Sequence, residues 1–166
     1  MLMKDAVLPG TPDYVIEAYE TLADRAKTRS FGLIEDDVIV LDTETTGLSL
    51  QDNKLIEISA ARMHGREVVE RFDTFVHPGC PIPAEITRLT SITDADVATA
   101  PSAEEAVAAL EKFVGGCPVI AHNATFDRSF IESVKGGVRV SDIWIDSLAL
   151  SRIALPRLAS HKLSFM

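Results

Sequence analysis

Asp42 and Glu44 stand two residues apart at the end of the aliphatic run Val38-Ile39-Val40-Leu41. In an extended chain that spacing sends both carboxylates out of the same face. Two acids held so close repel, and in an apolar setting they stay ionised only with compensating positive charge. A divalent cation with oxygen ligands is a compact way to supply it. The plain alternative is a strand end entering the polar turn Thr45-Thr46-Gly47. Asp127 adds a third acid. On a helix it shares one stripe with Phe130, Ile131 and Val134, which places a carboxylate on the core-facing side. Burying it unpaired is expensive, so it needs a cation or strong donors. Some donors would come from the helix itself if Asn123 or Thr125 caps it and Asp127 falls in its first turns.

The remaining titratable residues read as structural. Asp146 precedes Leu148, Leu150 and Ile153 at the spacing of a helix cap. Asp142 and Glu57 read as surface or strand-edge acids, His64 and His77 as turn residues with no visible partner, and His161 as a structural or exposed residue.

These acids need a scaffold, and the hydrophobic pattern supplies one. Val38 to Thr43 is nearly all apolar, the pattern of a strand buried on both faces at a sheet centre. Lys54 to Met63 and Glu67 to Val76 are strand candidates joined across His64-Gly65-Arg66, so they pair as an antiparallel hairpin. The three prolines between His77 and Pro83 end that pairing. Ser102 stands three residues before Glu105, a capping-box spacing, and Ala103, Ala106, Val107, Leu110, Phe113 and Val114 form the stripe of the helix that follows, up to Gly115-Gly116. Pro118 to Ala121 reads as a buried strand, Thr125 to Lys135 as a helix, Ile143 to Ile145 as a short strand and Asp146 to Ala154 as a helix. A strand hairpin followed by alternating helix and strand implies an α/β layer fold with a mixed sheet. Ahead of it, residues 11–29 open with Thr11-Pro12 and place Val15, Ile16, Tyr19, Leu22, Ala23 and Ala26 at helical spacing. Residues 1–36 are therefore expected to be an amphipathic helix and linker, and residues 37–166 the main domain.

With 166 residues and 46% hydrophobic content the chain can bury one core. No apolar run approaches the roughly 20 residues of a membrane span, and MLMKDAVLPG lacks the apolar middle of a signal peptide. A cytoplasmic protein with no membrane association is expected. Cys80 and Cys117 are too few and too far apart for a disulfide framework or a metal knuckle. The formal net charge of −9 argues against gripping nucleic acid by overall electrostatics, but not against a nuclease whose cations are bound metals. Charge is uneven: residues 127–166 carry six Lys or Arg against four Asp or Glu, which leaves −11 for residues 1–126. Chance on a solvated surface is the plain explanation, while a mildly basic C-terminal flank beside an acidic centre would also suit a phosphate-bearing substrate.

Three strings taken together are more specific than any one acid. Val38-Ile39-Val40-Leu41-Asp42-Thr43-Glu44-Thr45-Thr46-Gly47, then Leu55-Ile56-Glu57-Ile58, then Ile120-Ala121-His122-Asn123-Ala124-Thr125-Phe126-Asp127 closely resemble the DEDD-type 3′→5′ exonucleases, above all the proofreading epsilon-subunit group of bacterial replicative DNA polymerases. The resemblance runs from about Asp37 to the last residue and includes Pro83-Ala84-Glu85-Ile86-Thr87 with Ile92-Thr93. It implies a ribonuclease H-like three-layer α/β fold around a central mixed sheet, and two Mg²⁺ or Mn²⁺ ions held by four acidic residues. Asp42 and Glu44 match the first motif and Asp127 the second. The resemblance makes Asp42 the bridge between the ions, has Glu44 complete one shell, and lets Asp127 hold the second ion partly through water. Thr43, Thr45 and Leu48 would border the terminal nucleotide, with His122 and Asn123 nearby. The implied substrate is the 3′ end of single-stranded DNA or RNA, released as nucleoside monophosphates, and the implied partner is a polymerase or helicase subunit.

The sequence also departs from that family. A third motif, a His followed several residues later by the fourth Asp, belongs in a helix beyond Ser160-His161-Lys162-Leu163, and no Asp follows Asp146 before the sequence ends at Met166. The domain is thus expected to lack its last helix, to be weak or inactive alone, and to leave part of one apolar sheet face uncovered. Two rivals follow: a non-catalytic module that binds nucleic acid or a polymerase partner, and the exonuclease part of a longer polymerase or helicase fusion. A lone Asp-x-Glu also invites a metal-phosphatase reading, but those enzymes carry Asp where Glu44 stands.

Overall fold

The computed structural model describes residues 12–14, 16–17, 20–21, 37–134 and 139–163. The chain separates into two units, Met1–Asp36 and Asp37–Met166. In the first, the described residues 13–14, 16–17 and 20–21 are helical, with the Ile16 amide donating to the Pro12 carbonyl at 3.3 Å. The rest of the helix expected over 11–29 lies outside the described residues.

The second unit is built on a five-stranded sheet in the order β3-β2-β1-β4-β5. Its strands are β1 (Asp37–Thr45), β2 (Leu55–His64), β3 (Glu67–Phe75), β4 (Val119–Ala121) and β5 (Trp144–Asp146). β1 to β3 pair antiparallel, while β4 and β5 add in parallel to the other edge of β1. The sheet is therefore mixed, as the alternation of elements implies. The helices are α1 (Ala84–Thr90), α2 (Asp94–Val97), α3 (Ala103–Val114), α4 (Ala124–Ser133) and α5 (Ser147–Ala154).

α3 forms where its sequence signals ask for it. Ser102 and Glu105 make the reciprocal capping box, and Gly115 closes the helix in the left-handed conformation at φ 58°. Ala106, Val107, Leu110 and Val114 all point inward. They meet Ile39, Leu41, Ile58, Ala60 and Val119 on one face of the sheet, together with Phe130 and Ile131 of α4. Burying each large aliphatic side chain contributes about 1.5–3 kcal/mol, and this layer fixes where the strand ends lie. A smaller cluster of Ile56, Ile82, Ile92 and Val97 seats α1 and α2.

The opposite face of β1 differs from expectation. Val38 is buried at 3% exposure, but Val40 is 44% exposed and Asp42 is also exposed, so from Val40 onward the strand is buried on one face only. Along β1, Ile39, Leu41, Thr43 and Thr45 turn to the helices, and Val40, Asp42 and Glu44 turn away. Beside Val40 in register lie Ala61 of β2 and Ile120 of β4, both only partly buried. An aliphatic run long enough for two buried faces thus serves one buried and one open face.

Two histidines also find partners in the turns. His64 Nδ1 lies 2.9 Å from Asp37 Oδ1, and His77 Nδ1 accepts from the Gly79 amide at 2.9 Å. Among the described residues no helix is long and apolar enough to cross a membrane.

Candidate active site

The three acids gather at the C-terminal end of β1, but they arrive from two sides. Asp42 and Glu44 project from the open face of the strand. Asp127, in the first turn of α4, comes from the helix side and is 2% exposed. Its Oδ1 accepts from the Thr43 amide at 3.0 Å and from the Thr43 hydroxyl at 2.8 Å. Thr43 therefore anchors the buried carboxylate to the strand that carries the other two.

Helix α4 begins without a side-chain cap. Asn123 occupies the cap position at φ 69°, a left-handed conformation that asparagine tolerates better than most residues, but its side chain makes no capping bond, and Thr125 lies inside the helix. The Asn123 amide is instead accepted by Asp146 Oδ1 at 3.0 Å. The same oxygen accepts from Leu148 at 2.9 Å and Ala149 at 3.4 Å, so Asp146 caps α5 while tying it to the start of α4. Those backbone donors outweigh its partial desolvation and hold the Asp146 carboxyl below its usual range.

The acids themselves shift the other way. Burial is the largest influence on Asp127, and with the Asp42 charge it outweighs the Thr43 hydrogen bonds, raising its pKa from 3.8 to about 6. Desolvation by the surrounding protein raises Asp42, against the opposing pull of the Thr43 amide and His122. Although Asp42 reaches solvent, it sits on a surface crowded enough to cost its charged form hydration. Glu44 is raised by desolvation and then by Asp42, Glu57 and Asp127. Glu57 pairs directly across from Glu44 in register, and is itself raised by desolvation, then by Asp73 and Asp42. It is thus part of the acidic centre and not an isolated strand-edge acid. The antiparallel hairpin signal, extended to the register of β1 against β2, is what would have placed it there.

No Lys or Arg among the described residues forms an ion pair with Asp42, Glu44 or Asp127. The centre is short of positive charge, and its donors are carboxylate oxygens, the set that suits hard divalent cations. Among the described residues no three His, Cys, Asp or Glu side chains already stand in ligating geometry. Asp127 spends one oxygen on Thr43, and Asp42 and Glu44 reach the strand end from the other face. The residues fit divalent metal as a charge-deficient cluster whose carboxylates have still to close on it.

The other candidates differ in where they stand. Leu48 is 85% exposed beyond the strand end. Thr45 is buried and donates to the Gly47 carbonyl at 2.6 Å, which turns its hydroxyl away from the open face. Gly47 is required by close approach, since a Cβ there would fall 2.6 Å from Asn53 Oδ1, which accepts from the Thr46 hydroxyl. Asn123 is exposed at the head of α4. His122 has both ring nitrogens engaged. Its Nε2 donates to the His161 carbonyl at 2.8 Å, and its Nδ1 lies 3.1 Å from Ser147 Oγ.

Comparison with known proteins agrees with this geometry. Residues 39–166 match the RNase_T family model, described as Exonuclease. The chain is 41% identical over 132 residues to a PolC-type DNA polymerase III of Caldanaerobacter subterraneus subsp. tengcongensis, covering 78% of this chain and 9% of that protein. It is 35% identical over 162 residues to the PolC-type DNA polymerase III of Clostridium perfringens, covering 96% of this chain and 11% of the relative. The chain thus spans about a tenth of the length of these relatives. Among solved structures, exonuclease X in complex with 5′ overhanging duplex DNA superposes with a TM-score of 0.62 at 25% identity, covering 77% of this chain and 69% of that one. The mixed sheet with its helices is the ribonuclease H-like fold of that neighbour, and DEDD exonucleases generally use divalent metal ions. With the family model covering the sheet, the acids and the helices that position them, this chain belongs to the exonuclease family.

Proposed function

We propose that the chain is a metal-dependent 3′→5′ exonuclease module. It hydrolyses the terminal phosphodiester of a single-stranded nucleic acid, with water adding to phosphorus and the bond to the 3′ oxygen of the preceding nucleotide breaking. The products are a nucleoside monophosphate and a strand one residue shorter. The observation that carries the proposal is the gathering of Asp42, Glu44 and Asp127 at one strand end, each with its proton affinity raised and none paired with Lys or Arg among the described residues. Three converging carboxylates facing a polyanion make sense only if cations stand between them.

Asp42, Glu44 and Asp127 would hold the divalent ions, two Mg²⁺ or Mn²⁺. When bound, such ions supply an acidified water and charge neutralisation at the phosphoryl centre. The chain's own residues do the positioning. Thr43 holds the buried Asp127 carboxylate against the strand. Leu48, exposed beyond the end of β1, would offer an apolar surface for the terminal base, and Asn123 presents a polar side chain from the head of α4. His122 acts through the backbone it holds, because both its ring nitrogens are in use. Identity to PolC-type polymerases over about a tenth of their length supports a place within, or beside, a replicative polymerase, where such a module would proofread.

A second reading rests on the same acids not yet standing in ligating geometry among the described residues: a module that binds strands without cutting them. Digestion of a 5′-labelled single-stranded oligonucleotide in Mn²⁺ separates the two. The exonuclease reading expects a ladder of shortened products, slow in rate, that disappears in Asp42→Ala and in EDTA. Strand binding indifferent to EDTA, with no shortening, would replace it with the second reading.

A further inference from the structure

Beside the acidic centre lies a pocket of about 510 Å³ lined by His122, Leu148, Arg152 and residues 159–163. Its charge is the reverse of the chain's. Residues 139–163 contain Arg139, Arg152, Arg157 and Lys162 against Asp142 and Asp146. Both acids are occupied elsewhere, Asp142 with Arg139 at 3.1 Å and Asp146 with the amides at the helix starts. Arg152 and Lys162, both exposed at the pocket, have no carboxylate partner within ion-pair distance among the described residues.

The wall carrying Lys162 is held in place by a relay of hydrogen bonds. A carbonyl only accepts, so His122 Nε2 carries the hydrogen it gives to His161 O at 2.8 Å. His161 Nδ1 in turn donates to Ser151 Oγ at 3.1 Å, since the Ser151 hydrogen is spent on the Leu148 carbonyl at 2.8 Å. The segment is thereby tied to α5 one residue from Arg152. His122 belongs to both places: it lines the pocket, and it is one of the groups that pull the Asp42 carboxyl down.

We propose that this pocket is a subsite for a backbone phosphate of the substrate strand, distinct from the scissile one, with Arg152 and Lys162 as its ligands and His122 as the residue that positions Lys162. The inference rests on the exonuclease reading and adds to it where the strand runs. A phosphodiester there meets two cations that have no carboxylate partner among the described residues, whereas the acids around Asp42 repel it until they hold metal. A molecule at −9 overall thus keeps its strand-holding cations local.

The test is fluorescence anisotropy of a 5′-labelled oligothymidylate against the 166-residue chain in Ca²⁺ over a range of salt. Wild type is compared with Arg152→Gln, Lys162→Gln, the double variant, and Arg66→Gln in the β2–β3 turn. The double variant is expected to bind about tenfold more weakly at low salt, and its slope of log K against log salt to fall by about 1.4, or about 0.7 per lost contact. Arg66→Gln should match wild type, and matching melting curves would show that the exposed substitutions leave the fold intact. His122→Ala should weaken binding through mobility of residues 159–163, read as faster amide exchange there, which a purely local contact would not produce. Wild-type affinity and slope in the double variant would overturn the subsite while leaving the exonuclease reading standing. Failure of the wild type to bind any strand would overturn both.

Discussion

Asp127 Oδ1 takes both donors of Thr43, the amide at 3.0 Å and the hydroxyl at 2.8 Å, across 84 residues of sequence. This pair of hydrogen bonds joins helix α4 to the middle strand at the point where the chemistry is placed. Two donors favour the ionised form, yet the carboxyl remains raised to about 6, because burial and the Asp42 charge outweigh them. The helix is thus docked through a group whose charge the surrounding protein resists.

That resistance sets the pH dependence of stability. Between 3.8 and about 6 the folded chain holds a proton on Asp127 that the unfolded chain has released, so stability falls as pH rises through this window. Asp42, Glu44 and Glu57 are raised as well and act in the same direction. The metal-free chain is expected to melt higher near pH 5 than at pH 8. Asp127→Asn keeps an acceptor for Thr43 and should recover on the order of 2–3 kcal/mol at pH 8. Urea unfolding of both proteins at the two pH values measures the difference.

Thr43→Val removes the hydroxyl donor and leaves the amide. A hydrogen bond to a charged group contributes about 1.5–3 kcal/mol, so the loss should approach that size at pH 8, where Asp127 is ionised. It should shrink at pH 4.5, where the carboxyl is protonated. Equal losses at both values would mean that Thr43 matters for packing alone.

Neighbouring residues on β1 should respond very differently to truncation. Leu41 is 2% exposed in the core and Val40 is 44% exposed on the other face. Leu41→Ala should cost about 2–5 kcal/mol, while Val40→Ala should stay below about 1 kcal/mol. Chemical denaturation of the two variants checks that the sheet has one buried face at this point.

Much of this arrangement is written in local patterns. The Asp42 and Glu44 pair follows from alternation along one strand, and Asp127 from the stripe it shares with Phe130 and Ile131. Ser102 with Glu105, and Asp146 before Leu148, announce their helices by capping chemistry. Four features are not legible in that way. Helices α1 and α2 are short and follow the prolines between His77 and Pro83, which mark only an end to strand pairing, although Thr93 and Asp96 form a capping box. The open face around Val40 depends on what packs over the sheet, which an aliphatic run does not reveal. Glu57 joins the acidic centre only through strand register, and the bond from Thr43 to Asp127 only through tertiary folding, because both are pairings between elements.

The central claim is that Asp42, Glu44 and Asp127 form a divalent-metal centre, and the direct measurement is calorimetric titration of Mn²⁺ into the chain at pH 8 beside Asp42→Asn. The expected result is saturable binding that falls at least tenfold in the variant, about 1.4 kcal/mol. It should also weaken at pH 5, where raised carboxyls take up protons in place of metal. Equal Mn²⁺ affinity in wild type and Asp42→Asn would contradict the assignment.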